Sequence, residues 1–93
     1  MHSFKTIADI KQANEANGMF FFSKDTMRFF ASKVYPTVYG GRFFVTSEKS
    51  SFDNLARQYR VRQADEGGNI STDDRIFATL EAARTYAKAK AQR

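Results

Sequence analysis

Residues that commonly carry out catalysis are scarce in this chain. His2 is the only histidine, and there is no cysteine. A Ser-His-Asp or histidine-metal site would therefore depend on one residue beside the N-terminal methionine. The missing thiols exclude a disulfide framework, a cysteine nucleophile and a zinc-thiolate site. These observations predict a protein that is not an enzyme and binds no cofactor.

Four carboxylates flank the pair Gly67-Gly68, namely Asp65, Glu66, Asp73 and Asp74. Such a cluster is chemically suited to a divalent cation. Its spacing does not match a calcium loop, however, and Asp and Gly are frequent in hairpin turns because of their backbone preferences. We therefore expect a turn and no metal site.

Basic and aromatic residues offer a binding surface. The net charge is +5, which is consistent with a polyanion or an acidic protein surface as partner. Strand alternation predicts that Arg42, Phe44, Arg60 and Arg62 project from one sheet face, an arrangement that stacks bases and holds phosphates in several modules. In the alternative interpretation, a helix or partner covers Phe44 and the arginines only keep the face soluble.

A second basic group lies near the C-terminal end of the chain, where Arg84 and Lys88 are followed by Lys90 and Arg93. Cations are favourable at a helix C-terminus, so this run is either a phosphate-binding helix end or a solvated one. The chain also contains ten Phe, and an aromatic patch rimmed by Arg has the composition of a protein interface. Most of these rings are expected in the core, with one or two exposed.

The elements that must position these residues begin with a helix from about residue 6 to 17, capped by Thr6 and followed by Gly18 in a left-handed conformation. Ser23 is expected to cap a short second helix over residues 24–30. Thr79 is expected to cap the last helix, in which alanines form a narrow apolar stripe.

The sheet is expected to start with a hairpin that turns at Gly40-Gly41, since a Gly pair tolerates positive φ at both positions. Pro36 lacks an N–H group, so its strand is predicted at a sheet edge. A polar loop over 48–54 follows. Two further strands, 57–63 and 70–77, flank the Gly67-Gly68 turn.

The order of elements predicts a single α+β domain over residues 1–93. Its antiparallel sheet has three to four strands, with the N-terminal, short second and C-terminal helices packed on one face. The sequence has no signal-peptide pattern and no apolar run of roughly 18 residues, so no membrane partner is expected. The oligomeric state is left open.

Two strings, Asp25-Thr26-Met27-Arg28-Phe29-Phe30 and Val38-Tyr39-Gly40-Gly41 with Phe43 to Glu48, resemble small proteins of unknown function carried by bacteriophages, prophages and plasmids. The start of the last helix, Phe77-Ala78-Thr79-Leu80-Glu81-Ala82-Ala83, is similar to closing helices in such proteins. The resemblance implies a phage or mobile-element protein in the cytoplasm of a bacterial host, and it assigns no functional residue.

Anti-CRISPR proteins are the best-known proteins of that size and source. The leading hypothesis is therefore a non-enzymatic protein that binds and inhibits a host defence complex, with a CRISPR effector as one candidate. Many anti-CRISPR proteins are acidic, whereas this chain is basic and would have to cover an acidic or mixed surface. The alternative is a basic nucleic-acid-binding module that uses the Arg/Phe sheet face or the basic helix end.

Overall fold

The computed structural model describes residues 3–29, 32–49 and 57–92. His2 and most of the predicted 48–54 loop lie outside these residues. The elements follow in the predicted order: α1 (Ile7–Ala16), α2 (Lys24–Phe29), β1 (Lys33–Val34), β2 (Phe43–Glu48), β3 (Gln58–Ala64), β4 (Ile70–Thr72) and α3 (Leu80–Ala91). None of these helices combines the length and the apolar character that a bilayer span requires.

The helix starts depend on hydroxyl side chains, as predicted. The Oγ1 atom of Thr6 accepts the N–H of Asp9 at 3.2 Å, and Thr79 accepts the N–H of Ala82 at the same distance. Ser23 likewise accepts the N–H of Thr26 at 3.2 Å. Each bond satisfies a donor that the first helical turn leaves without an internal partner. These caps fix where the three helices begin.

The sheet is antiparallel with strand order β1-β2-β3-β4. The predicted turn is confirmed, because Gly40 and Gly41 have φ values of 58° and 76° and Tyr39 and Phe43 exchange backbone hydrogen bonds of 2.7 and 3.0 Å. The first arm is less regular than expected, because its ladder with β2 covers residues 33–34 and the rest is a bond from the Tyr35 N–H to the Val45 carbonyl and the isolated Tyr39–Phe43 bridge. Pro36 lacks the N–H that would continue the ladder, and β1 is an edge strand as predicted.

Strand β4 is also shorter than the predicted 70–77 segment. Ile70 to Thr72 pair with Ala64 to Arg62, the Asp73 N–H adds one bond to the Val61 carbonyl at 3.0 Å, and the chain then pairs with β3 again at the Phe77–Tyr59 bridge. The intervening Asp73 carboxylate accepts the N–H of Arg75 at 2.9 Å. This local turn draws the chain out of the ladder.

The predicted α+β class is confirmed, but the helices cover both faces of the sheet and not one. On the first face, Phe44 and Ala64 pack with Ile10 of α1. On the second face, Val45 and Val61 pack with the alanine stripe of α3, Ala83 and Ala87. The physical reason is the run Phe43-Phe44-Val45, which places large apolar side chains on both sides of a central strand. Each face of the sheet therefore needs a helix to bury its apolar side chains.

Helix α1 is tied to the β3–β4 turn by two side-chain amides. Asn14, which is 1% exposed, donates from Nδ2 to the Gly68 carbonyl at 2.8 Å, and Asn17 donates to the Gly67 carbonyl. Gly68 has φ 80° and lies against the backbone of α1. This junction joins the first helix to the far end of the sheet.

Helix α3 is tied to the same half of the sheet through Asp73. Its Oδ2 atom accepts hydrogen bonds from Tyr86 Oη at 2.9 Å and from Lys90 Nζ at 3.0 Å. The Lys90 ammonium also lies 5.6 Å from the centre of the Tyr86 ring. The carboxylate is therefore an acceptor shared by its own turn and by the last two turns of α3.

Acidification is expected to weaken this link. The hydrogen bond from the Arg75 N–H, followed by those from Lys90 and Tyr86, holds the pKa of Asp73 below its ordinary value. The ionised carboxylate therefore stabilises the fold above the unfolded-state pKa, about 3.9, and this contribution is lost as the pH falls through the lower folded-state pKa. Asp73→Asn should flatten the acid limb of the stability curve, measured by urea unfolding.

The neighbouring variant Asp74→Asn is the matched control. This substitution also removes one negative charge, and Asp74 is exposed. It should keep the wild-type dependence on pH. Equal acid limbs for the two variants would contradict the role assigned to Asp73.

Candidate binding grooves

The structure places Phe44 in the core, contrary to the prediction that its ring projects from an open sheet face. Phe44 is 0% exposed, and its ring centre lies 6.1 Å from that of Phe22 and 6.2 Å from that of Phe21. The alternative interpretation, in which the molecule covers this ring, is therefore the observed one. Phe44 contributes to stability and is not available as a contact surface.

Arg62 occupies the part of the same sheet face that α1 leaves uncovered. Its Nε atom donates to Thr46 Oγ1 at 2.9 Å, and its terminal nitrogens donate to Thr72 Oγ1 and to Glu48 Oε1. The guanidinium carbon lies 5.2 Å from the centre of the Phe21 ring. Arg62 thus joins β2, β3 and β4, and each of its three guanidinium nitrogens donates one hydrogen bond.

The electrostatics of this network follow from its burial. The Arg62 side chain is 13% exposed, and burial lowers the pKa of its guanidinium. The nearby Glu48 carboxylate opposes that shift, while the Arg60 cation adds to it. Two guanidinium groups here face one carboxylate, so the region carries an excess positive charge.

A groove of about 400 Å³ lies over this network, between α2 and the sheet. We call it the α2 groove, and its principal lining residues are Phe21, Met27, Thr46, Glu48, Arg60 and Arg62. Phe21 and Met27 provide an apolar wall opposite the polar floor. In the part of the chain that the structure describes, Arg60 has no hydrogen-bond or carboxylate partner, so its charge is the one available to a ligand.

The two basic residues predicted on the last helix lie on the other face of the sheet. Arg84 and Lys88 line a second depression, together with Tyr39 and Leu80, and the Arg84 Nε atom donates to Tyr39 Oη at 3.0 Å. Arg42 is half-buried in the turn before β2 and lines neither groove. The six predicted site residues are therefore divided among the core, two grooves and a turn.

Several groove residues were not predicted as binding residues. Phe21 is one of the ten Phe, most of which were expected in the core. Met27 was predicted within the short second helix, and Tyr39 lies beside the predicted Gly40-Gly41 turn. The aromatic run Phe20-Phe21-Phe22 contains a relevant signal, because three consecutive rings cannot all face one core. Phe20 is indeed 75% exposed, Phe21 half-buried and Phe22 buried.

Two of the four carboxylates around the β3–β4 turn, Asp65 and Asp73, have structural partners. Asp65 accepts bonds from the Asn69 side-chain amide and from the backbone N–H groups of Asn69 and Gly67, and these bonds, the Asn69 amide first, hold its pKa below the usual value. Across residues 3–29, 32–49 and 57–92, no three His, Cys, Asp or Glu side chains come together as a potential metal site.

These features define a small α+β domain with a helix on each face of a four-stranded meander and an arginine-lined groove on each face. A model described as a family of unknown function, DUF7447, matches residues 6–90, and the chain belongs to this family. Comparisons with curated proteins and with solved structures found no match.

Proposed function

We propose that this protein works by binding, and that its α2 groove receives an acidic segment of a partner protein. The observation that carries the proposal is Arg60, a cation without a carboxylate partner in the described residues, placed beside a second guanidinium and an apolar wall. A carboxylate side chain would neutralise the excess charge, and a neighbouring apolar side chain would pack on Phe21 and Met27.

The shape and charge of the groove support this occupant over a nucleic acid. The floor is formed by short hydroxyl side chains and two arginines, and its one acid, Glu48, already pairs with Arg62. The predicted Arg/Phe sheet surface offers no Phe44 ring on which a nucleic-acid base could stack, because Phe44 is buried. An acidic side chain needs only the one unpaired guanidinium and the apolar wall.

The resemblance to phage and mobile-element proteins makes a host defence complex, such as a CRISPR effector, the first partner class to test. In this proposal the chain inhibits the complex by occupying an acidic surface that the complex needs. Purified effector complexes assayed for target cleavage with and without the protein provide the test. A lack of both inhibition and binding would remove this partner class.

The chemistry of the groove is tested with two labelled peptides, one alternating Glu and Phe and one alternating Gln and Phe. Fluorescence anisotropy should show roughly tenfold tighter binding of the Glu peptide, because a charge-assisted hydrogen bond contributes about 1.5 kcal/mol. Arg60→Glu should abolish that preference.

The matched control is Lys11→Glu, which makes the same change of charge on the exposed side of α1. It should leave the preference for the Glu peptide intact. Equal binding of the two peptides by the wild-type protein, or an unchanged preference in Arg60→Glu, would contradict the proposal.

A further inference from the structure

A second groove runs along α3 on the opposite face of the sheet from the α2 groove. Two cavities of about 180 and 560 Å³ share the lining residues Tyr39, Leu80 and Arg84, so they lie side by side along this groove. We call it the α3 groove, and its principal lining residues are Tyr35, Pro36, Tyr39, Leu80, Arg84 and Lys88.

The smaller cavity is an apolar slot that is already formed. Val45, which is 1% exposed, contributes to its lining, and Tyr35, Pro36 and Leu80 add ring and aliphatic surface. The Tyr35 hydroxyl lies 3.2 Å from Ser47 Oγ, which holds that ring in place. A slot lined by rings and aliphatic side chains suits a flat aromatic group.

A cationic strip begins at the mouth of the slot. The bond from Arg84 Nε to Tyr39 Oη fixes the guanidinium beside the ring, and its terminal nitrogens have no acceptor in the described chain. Lys88 lies four residues further along the helix, hence on the same side, and both cations are exposed. Glu81 is the one acid that lines the larger cavity.

We propose that the α3 groove binds single-stranded nucleic acid, with one base in the slot and the adjacent phosphates on Arg84 and Lys88. A positively charged track next to an aromatic stacking surface is the arrangement by which proteins hold single strands. The slot accepts a base only when it is unstacked, which disfavours a duplex. The net charge of +5 attracts a polyanion at long range.

Fluorescence anisotropy with a labelled oligothymidylate of about 12 nucleotides tests the proposal at roughly 50 and 200 mM salt. Binding should weaken with a log–log slope near −1.4, since two phosphate contacts contribute about −0.7 each. Arg84→Ala should reduce that slope by about half. Glu81→Gln should tighten binding, because it removes the acid from the groove.

The stacking contribution is isolated by a pair of variants at one position. Tyr39→Ala should weaken binding about tenfold, in line with the loss of one stacked base, whereas Tyr39→Phe should retain most of the affinity because it keeps the ring. Both variants lose the bond to Arg84, so their difference reports the ring alone. Equal affinities of the two variants would overturn the base slot.

Three further outcomes would overturn the proposal. The first is no binding at the lower salt concentration. The second is equally tight binding of the matching duplex. The third is displacement of the oligonucleotide by a poly-glutamate peptide at equal charge, which would mark the groove as a site for acidic proteins.

The two grooves can be tested independently. Arg60→Glu should bind the oligonucleotide within a few-fold of the wild-type protein, because Arg60 is on the other face of the sheet. Loss of oligonucleotide binding in that variant would place the nucleic-acid site in the α2 groove and overturn the assignment to α3. If the wild-type protein bound the Glu and Gln peptides equally, the proposal for the α2 groove would fail, but the result for oligonucleotide binding to the α3 groove would still stand.

Discussion

Gly68→Ala is expected to lower the free energy of unfolding by about 3 kcal/mol or more. Gly68 has φ 80°, a conformation in which an L side chain is strained. A Cβ atom added there would lie 2.5 Å from the Asn14 nitrogen and 2.7 Å from the Ala13 carbonyl carbon. Both are backbone atoms of α1, so the helix would have to move away from the turn and lose the bond from Asn14.

Two other glycines provide matched controls for this result. Gly18 has φ 75° with no atom within 4 Å of an added Cβ, so Gly18→Ala carries only the backbone cost of about 1 kcal/mol. Gly67 has no such φ, and its nearest neighbours lie 3.5 Å away, so Gly67→Ala should be close to neutral. Urea unfolding measures all three, and equal losses for Gly68→Ala and Gly18→Ala would contradict the close approach of α1.

Arg62→Met is expected to lower the free energy of unfolding by about 2–4 kcal/mol. The variant keeps much of the side-chain volume but leaves Glu48 without its cation and the buried Thr46 hydroxyl without its donor. Thr46 is 1% exposed beside Arg62, so its hydroxyl loses this bond at a position with little access to water. Arg62→Lys should recover only part of the loss, because an ammonium cannot reach three acceptors with the geometry of a guanidinium.

The control for this prediction is Arg60→Met, two residues away on the same strand and face. Arg60 pairs with none of the described residues, so its loss should change stability by less than about 0.5 kcal/mol. Adding Glu48→Gln to Arg62→Met should restore part of the stability, since it removes the unpaired charge. If the effects of Arg62→Met and Glu48→Gln on the free energy of unfolding simply add, the Arg62 and Glu48 side chains are not energetically coupled.

Local signals were sufficient for the elements themselves. Thr6, Ser23 and Thr79 act as helix caps because a short hydroxyl can bond a free N–H three residues away, and this depends on nearby sequence alone. The turn at Gly40-Gly41 is equally local, since it follows from the conformational freedom of glycine. Such features can be predicted without knowing the tertiary structure.

The placement of the helices could not be derived in that way. The shared face of Phe44, Arg60 and Arg62 was predicted correctly, but that face was assumed to be open. Which helix covers Phe44 depends on the crossing of α1 behind the sheet, and the sequence of α1 does not encode that direction. The apolar character of both faces of β2 is the signal that should have favoured two covered faces.

The candidate grooves depend on long-range register. Arg62 meets Glu48 and Thr72 only because β3 pairs with β2 and β4 in one specific alignment. A shift by one residue would turn the Arg62 side chain to the opposite face. Tyr39 and Arg84 are brought together by the packing of α3, 45 residues later in the chain. These side-chain contacts form only in the complete tertiary structure.

Because each strand pairs with the one that precedes it in the sequence, the sheet can grow in the order of synthesis. A nascent chain leaving the ribosome can add β2, β3 and β4 in turn without waiting for a distant partner, which favours rapid folding. Of the elements described, α3 is synthesised last, and until it docks, the sheet face that carries Val45 and Val61 stays uncovered. A chain released from the ribosome before Leu80 would therefore expose this apolar sheet face, which chaperones or proteases would recognise.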